Sequence, residues 1–294
     1  MTAHLDWARD GADWPNRAAS RFVDAAGMAW HVQVMGEGPV ILLLHGTGAS
    51  THSWRDVLPR LADRFTLVAP DLPGHGFTTD PPPSAQSLPG MASAVSDLLR
   101  KLRLSPFRGV GHSAGAAIVV RMAALGTITP DDIVSFNGAF FPVSGVAGQF
   151  FTPLAKAAAA TRFMPKLFAS MADERSVERL LKDTGSKIDA RGLDLYRRLF
   201  ANQGHVAGTL QMMAAWDLHW TEQDLRNLPC PLYLVRATGD RTISPRDSER
   251  AASLCRQAKI ITLTGVGHLA HEENPGLAAE IIADPAGYLL RNPT

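Results

Sequence analysis

Cysteine is scarce: Cys230 and Cys255 are the two in 294 residues. No disulfide framework holds such a chain together, and free thiols in a reducing cytoplasm are the expectation. Neither cysteine has a neighbouring His and acid that would make it a nucleophile. Each lies at or just before the start of one of the last two apolar strand runs, at the sheet end away from any chemistry; the sequence leaves open whether the two are neighbours. Charge of one sign is missing too. Lys and Arg number 29 against 28 Asp and Glu, a net +1, which gives no global pull toward nucleic acid. No apolar run approaches the roughly 18 residues of a membrane helix. There is no G-x-G-x-x-G at a helix start, no P-loop and no Cys/His cluster, so catalysis is expected to need no cofactor and no metal. The stretch from Met1 to Arg17 carries Asp6, Asp10 and Asp13 and no apolar core. It reads as an arm pinned by Trp7 and Trp14, not as a secretory signal.

What is present is apolar mass: 46% of residues are hydrophobic, enough for a large core in one α/β unit of this length. Within it stands Gly111-His112-Ser113-Ala114-Gly115, a G-x-S-x-G. Phe107 to Val110 before it reads as a short buried strand, and Ala116 to Leu125 after it as a helix. A serine at such a strand-to-helix turn is forced into a strained backbone that exposes its hydroxyl above the sheet. The flanking glycines fit because a larger side chain would clash where strand and helix cross.

A serine hydroxyl is a weak nucleophile and needs a base, an orienting acid and preset donors for the developing oxyanion. In one large fold class these follow in the order Ser, Asp or Glu, His. Pro231 to Val235 is a strong strand, and Asp240 lies on the loop that leaves it. Lys259 to Leu263 is another strand, and it leads to Gly267-His268. In an open parallel sheet the carboxyl ends of the strands share one edge, so Ser113, Asp240 and His268 are expected together. His268 would take and return the proton, and Asp240 would fix its tautomer. Val40 to Leu44 is an earlier buried strand followed by His45-Gly46-Thr47-Gly48. The amides of Ala114 and Thr47 are the expected oxyanion donors.

Other residues compete for these roles. His271 lies three residues beyond His268 and is the nearest rival base, but His268 directly follows the strand and Gly267. Asp131 and Asp132 precede the Ile133–Phe136 strand and so fall at the wrong end of the sheet. Asp240, next to Gly239, also suits a plain turn. His112, inside the turn, is expected to be structural. His45 and His75 sit in glycine-rich loops, where packing is the expectation. His4, His31, His52, His205 and His219 show no metal-ligand spacing.

Along the rest of the chain, Phe22-Val23 and Ala29 to Met35 read as a hairpin around Gly27, Trp54 to Leu61 as a helix, Phe65 to Ala69 as a strand and Met91 to Leu102 as a helix. Residues 139–226 far exceed the dozen or so that a parallel crossover needs. They read as a helical cap, with residues 1–138 and 227–294 forming the core. The cap is rich in Phe and Met, and most of these should simply pack it onto the core. Phe141, Phe151, Met212 and Trp216 are the candidates for an apolar substrate pocket. Lys156, Arg162 and Lys166 are the only charges from Ala139 to Ser170. They would suit a ligand carboxylate or an anionic membrane surface in peripheral contact.

His45-Gly46, the Asp71-Leu72-Pro73-Gly74-His75-Gly76 loop, Ser113, Asp240 and Gly267-His268 together resemble the α/β-hydrolase superfamily over roughly residues 20 to 290. The resemblance implies an eight-stranded, mostly parallel sheet with helices on both faces and a helical cap. It also implies a serine hydrolase of esterase or thioesterase type. Serine at the position where some relatives carry aspartate argues against haloalkane dehalogenase and epoxide hydrolase chemistry; perhydrolysis and lyase reactions use the same triad and stay open. Asp13 to Arg17 with Ala19 to Val23, Leu44 to Asp56, Ala69 to Thr78 and Phe136 to Ala139 more narrowly resemble the magnesium-chelatase accessory family of bacteriochlorophyll biosynthesis. That resemblance implies a photosynthetic setting, an association with magnesium chelatase and a tetrapyrrole or ester ligand. The competing reading is a porphyrin-binding accessory protein without catalysis.

Overall fold

Residues 4–142, 161 and 163–292 are described by the computed structural model. One sheet is built from β1 (Ser20–Ala25), β2 (Met28–Met35), β3 (Val40–Leu44), β4 (Thr66–Pro70), β5 (Arg108–His112), β6 (Asp132–Phe136), β7 (Leu232–Ala237) and β8 (Ala258–Leu263). Their spatial order is β1-β2-β4-β3-β5-β6-β7-β8. β2 pairs antiparallel with β1 and β4; the remaining neighbours are parallel. The expected hairpin turns at Ala26 and Gly27, both with positive φ, the connection whose twist matches paired strands.

Side chains alternate faces along a strand, and β3 shows what that does. Ile41 and Leu43 pack with Trp54, Leu58 and Leu67 on one side; Leu42 and Leu44 pack with Trp30, Val68 and Ile118 on the other. Burial on both faces explains why the parallel strands read as unbroken apolar runs. The helices Leu88–Leu102, Ala114–Ala124 and Pro245–Leu254 contribute to the second cluster. Leu58–Leu61 and Pro275–Ala283 contribute to the first. In Leu88–Leu102 the buried side chains include Leu88, Met91, Ala92, Val95, Leu98 and Leu99, the three-and-four spacing of a one-faced helix.

One expected element differs. Trp54–Leu61 is not a continuous helix; a 3-10 turn spans Thr51–Trp54 and a short helix Leu58–Leu61. Pro59 has no N–H to donate and is tolerated only in a first turn, so the helix begins beside it. The arm packs on the rest of the chain through Trp7 and Trp14, which cluster with Phe77, Leu195 and Leu199. Trp14 is buried, with Nε1–H donating to Thr51 Oγ1 at 3.2 Å, and Asp13 pairs with Arg198 at 2.6 Å.

Between β6 and β7 lie the helices Phe163–Ser170, Glu174–Asp183, Ala190–Phe200, Gln203–Ala215 and Thr221–Arg226. They cover the carboxyl edge of the sheet: Val177, Leu181 and Tyr196 cluster with Ala49 and Leu269 from the loops there. Cys230 and Cys255 are buried free thiols in one cluster. Burial pushes the Cys230 thiol up to about 12, which removes thiolate reactivity at neutral pH. Among the described residues no helix is long and apolar enough to cross a membrane, and no three His, Cys, Asp or Glu side chains are grouped to hold a metal ion.

Candidate active site

β5 ends at His112, and the chain turns through Ser113 into the Ala114–Ala124 helix. Ser113 has φ 51° and ψ −118°, a strained backbone for a residue with a side chain. It is locked there: its N–H donates to Phe136 O at 3.0 Å, and its carbonyl accepts from Ala116 N–H at 3.1 Å and Ala139 N–H at 3.0 Å. The flanking glycines are sterically required. A Cβ on Gly111 would lie 2.4 Å from Ala116 Cα, and one on Gly115 would lie 2.3 Å from Leu44 O.

His268 and Asp240 meet as the strand order predicts. His268 Nδ1 is 2.8 Å from Asp240 Oδ2, and both side chains are almost wholly buried. The other carboxylate oxygen of Asp240 accepts from Thr242 N–H at 2.7 Å and Ile243 N–H at 2.9 Å. A carboxylate held this way accepts the hydrogen bond from Nδ1–H, which leaves Nε2 as the acceptor. His268 and Ser113 line one cavity.

His271, the rival base, is elsewhere. It is fully buried, its ring lies 4.4 Å from the Trp54 ring, and its Nε2 meets Ser53 Oγ at 2.8 Å. Burial, with the charges of His268 and Arg55, holds it well below the ordinary imidazole range. His112 holds the backbone of the neighbouring loop: its Nε2–H donates to the His268 carbonyl at 3.0 Å. Asp132 sits at the opposite edge of the sheet, at the start of β6, paired with Arg108.

Gly46 approaches the serine closely; a Cβ on it would be 3.0 Å from Ser113 Cβ. Thr47 and Ala114 line the same cavity as Ser113. Among the described residues neither amide donates to a protein acceptor, the state an oxyanion site requires before substrate arrives.

The cavity measures about 800 Å³. Its wall is largely apolar, with Phe168, Leu180, Phe200 and Met213 among its residues. Phe141 and Trp216 line it as expected. Met212 does not: it is buried in the core beneath, where its sulfur accepts from Thr47 Oγ1 at 3.7 Å. Met213 takes the wall because one residue along a helix turns the side chain by about 100°. Phe151, Lys156 and Arg162 lie outside the described residues. Lys166 is exposed and off the cavity wall, so it does not meet a ligand carboxylate there.

Asn137 escaped the sequence reading. It ends β6 at φ 45°, and its side chain spans the two loops. Oδ1 accepts from Ala237 N–H at 2.8 Å, and Nδ2 donates to the His268 carbonyl at 2.8 Å and to that of Gly267 at 3.2 Å. Asn followed by Gly at a strand end was the available signal, since Asn is enriched at positive φ.

With this geometry in view, the comparisons with known proteins agree on the fold. The profile of the alpha/beta hydrolase family matches residues 41–281. The chain is 38% identical over 264 residues to the "Magnesium-chelatase 30 kDa subunit" of Rhodobacter capsulatus, covering 89% of this chain and 92% of that one. It is 26% identical to a 2-(acetamidomethylene)succinate hydrolase of Mesorhizobium japonicum, covering 95% and 99%. A crystal structure of an alpha/beta hydrolase fold protein from Burkholderia ambifaria superposes with a TM-score of 0.77 at 22% identity, covering 97% and 100%.

Proposed function

Because the chain belongs to the alpha/beta hydrolase family, we propose that it is a serine hydrolase that cleaves an ester or thioester of apolar character. In this reading residues 1–138 and 227–294 are the hydrolase core, and 139–226 the cap that roofs the pocket. Ser113 Oγ attacks the carbonyl carbon while His268 Nε2 takes its proton. Asp240 stabilises the imidazolium. The Thr47 and Ala114 N–H groups receive the oxyanion, each worth roughly 3 kcal/mol of barrier. Collapse expels the alcohol or thiol with the proton from Nε2. Water, deprotonated by the same nitrogen, then releases the acid and restores Ser113.

The observation that carries the reading is the juxtaposition in one cavity of a strained serine, an imidazole oriented by a buried carboxylate and two amides that donate to no acceptor among the described residues. A fluorophosphonate probe should label the wild type and not Ser113→Ala. Aryl-ester hydrolysis should collapse in Ser113→Ala and His268→Ala. A dead His271→Ala beside an active His268→Ala would contradict the assignment of the base.

A second reading rests on the 38% identity to a protein named as a magnesium-chelatase subunit. Under it the chain is a cytoplasmic partner of magnesium chelatase in bacteriochlorophyll synthesis and holds a tetrapyrrole in the apolar cavity. A Soret shift on porphyrin addition that survives Ser113→Ala would support it; no shift at micromolar porphyrin would remove it.

A further inference from the structure

Resting on the hydrolase reading, we propose that the insertion between β6 and β7 is a fixed clamp on the reactive loops, in which His205 positions the oxyanion loop and Ser186 positions the base loop. His205 sits on the Gln203–Ala215 helix and is fully buried. Its ring spans two loops of the core. Nε2 lies 3.1 Å from Gly48 O, and Nδ1 lies 3.0 Å from Gly76 N. A carbonyl can only accept and an amide N–H can only donate, so Nε2 carries the proton and Nδ1 is bare. The ring is therefore neutral and in one tautomer; burial lowers its pKa to about 4, in keeping with that state. On the other side of the same loop, His45 Nδ1–H donates to Gly46 O at 2.8 Å and Ala49 N–H donates to it at 3.2 Å. The peptide that carries the Thr47 amide is thus anchored through its own carbonyl, that of Gly46, and the Gly48–Ala49 peptide that follows is anchored by His205 of the insertion.

The turn Thr184-Gly185-Ser186 grips the opposite side of the site. Thr184 O accepts from Arg241 N–H on the acid loop at 3.1 Å and from His268 N–H at 3.4 Å. Ser186 Oγ accepts from Leu269 N–H at 2.9 Å. The packing leaves no slack: a Cβ on Gly185 would lie 2.0 Å from Gly239 O, and one on Gly267 would lie 2.3 Å from Gly185 C. Lifting the insertion as a lid would break the Gly48, Gly76, Arg241, His268 and Leu269 contacts together. His205 and Ser186 touch no reacting atom in this scheme; they act through the backbone of the loops.

The test uses the full chain and two readouts: kcat and KM for a p-nitrophenyl ester, and amide hydrogen exchange of the peptides covering 45–49, 72–77 and 265–270. His205→Phe keeps the bulk of the ring and deletes both polar atoms. Its kcat should fall about 10²-fold, the scale of losing one oxyanion donor, with KM nearly unchanged. Exchange at 45–49 and 72–77 should quicken about tenfold or more, with 265–270 unaffected. His205→Gln, whose amide carries an acceptor and a donor at similar spacing, should restore most of the rate. Ser186→Ala should quicken exchange at 265–270 and lower kcat about tenfold. Wild-type kcat in both folded variants, with unchanged exchange, overturns the clamp. A fall that Gln does not rescue and that tracks lost global protection overturns the positioning role and leaves general stability as the cause. Faster exchange beside a wild type that reacts with neither ester nor fluorophosphonate overturns the hydrolase reading, and the positioning role with it.

Discussion

His31 places Nδ1 2.8 Å from Asp71 Oδ2 and Nε2 2.9 Å from Ser20 Oγ; His268 places Nδ1 2.8 Å from Asp240 Oδ2 in the cavity that holds Ser113. The chain thus contains two Ser, His, Asp sets, and their surroundings differ. His31 and Asp71 have no exposed surface, and the rings of Trp7, Phe22 and Phe77 stand 4.9, 5.4 and 5.3 Å from the His31 ring. Ser20 has φ −75° and ψ 136° at the start of β1, an unstrained extended residue whose oxygen also accepts from Gln33 Nε2 at 3.3 Å. None of the three touches the large cavity. Asp71 is a fastening point: besides His31 it accepts from Thr51 N–H at 2.6 Å and Phe77 N–H at 2.9 Å. Burial alone would raise its pKa, but the nearby His31 and His45 and these donors hold it well below the usual carboxylate range. The set at His31 is sealed under aromatic rings, away from the large cavity. Ser113 differs from Ser20 in its strained backbone, in the Thr47 and Ala114 amides beside it, which donate to no acceptor among the described residues, and in the cavity it lines.

The largest effect that separates the two is on catalysis. Ser113→Ala should lower aryl-ester kcat about 10⁴-fold or more, while Ser20→Ala should stay within about twofold of wild type; equal losses would erase the distinction. Stability should invert the ranking. Asp71→Ala strips a buried carboxylate from its partners and should cost about 3–5 kcal/mol in urea unfolding, more than Asp240→Ala in the same assay. Acid should act mainly on the buried histidines. His205 is lowered from 6.5 to about 4 in the folded chain, so between those pH values the unfolded state binds a proton that the folded state refuses. Stability is full above about 6.5 and declines as pH falls toward 4, by up to about 3 kcal/mol from this group. Urea midpoints across that window should show the slope, and His205→Gln should reduce it by this group's share while the other buried histidines keep the rest. Asp71, lowered in the fold, adds a further loss as pH drops below about 4. The smallest effect is Ser20→Ala on stability, about 1 kcal/mol, read from the same unfolding curves.

The edge shared by Ser113, Asp240 and His268 was legible because it follows from topology. Strand ends in a parallel sheet face one way, so the residues just past the apolar runs at 107–110, 231–235 and 259–263 had to share an edge. The glycines around Ser113 mark a steric requirement that sequence spacing carries. What stayed hidden depends on contacts between distant segments. His31 offered no metal spacing, and nothing local announces Asp71, 40 residues on, as its partner. His205 lies 129 residues from Gly76 and 157 from Gly48. Met213 rather than Met212 lines the cavity; the sequence says that a helix is there without saying which way it is turned.

The most direct test is peptide mapping by mass spectrometry after fluorophosphonate treatment of the wild-type chain. The account predicts one adduct, on the peptide carrying Ser113, abolished in Ser113→Ala and unchanged in Ser20→Ala. An adduct on Ser20, or none while a known serine hydrolase in the same tube is labelled, would contradict it.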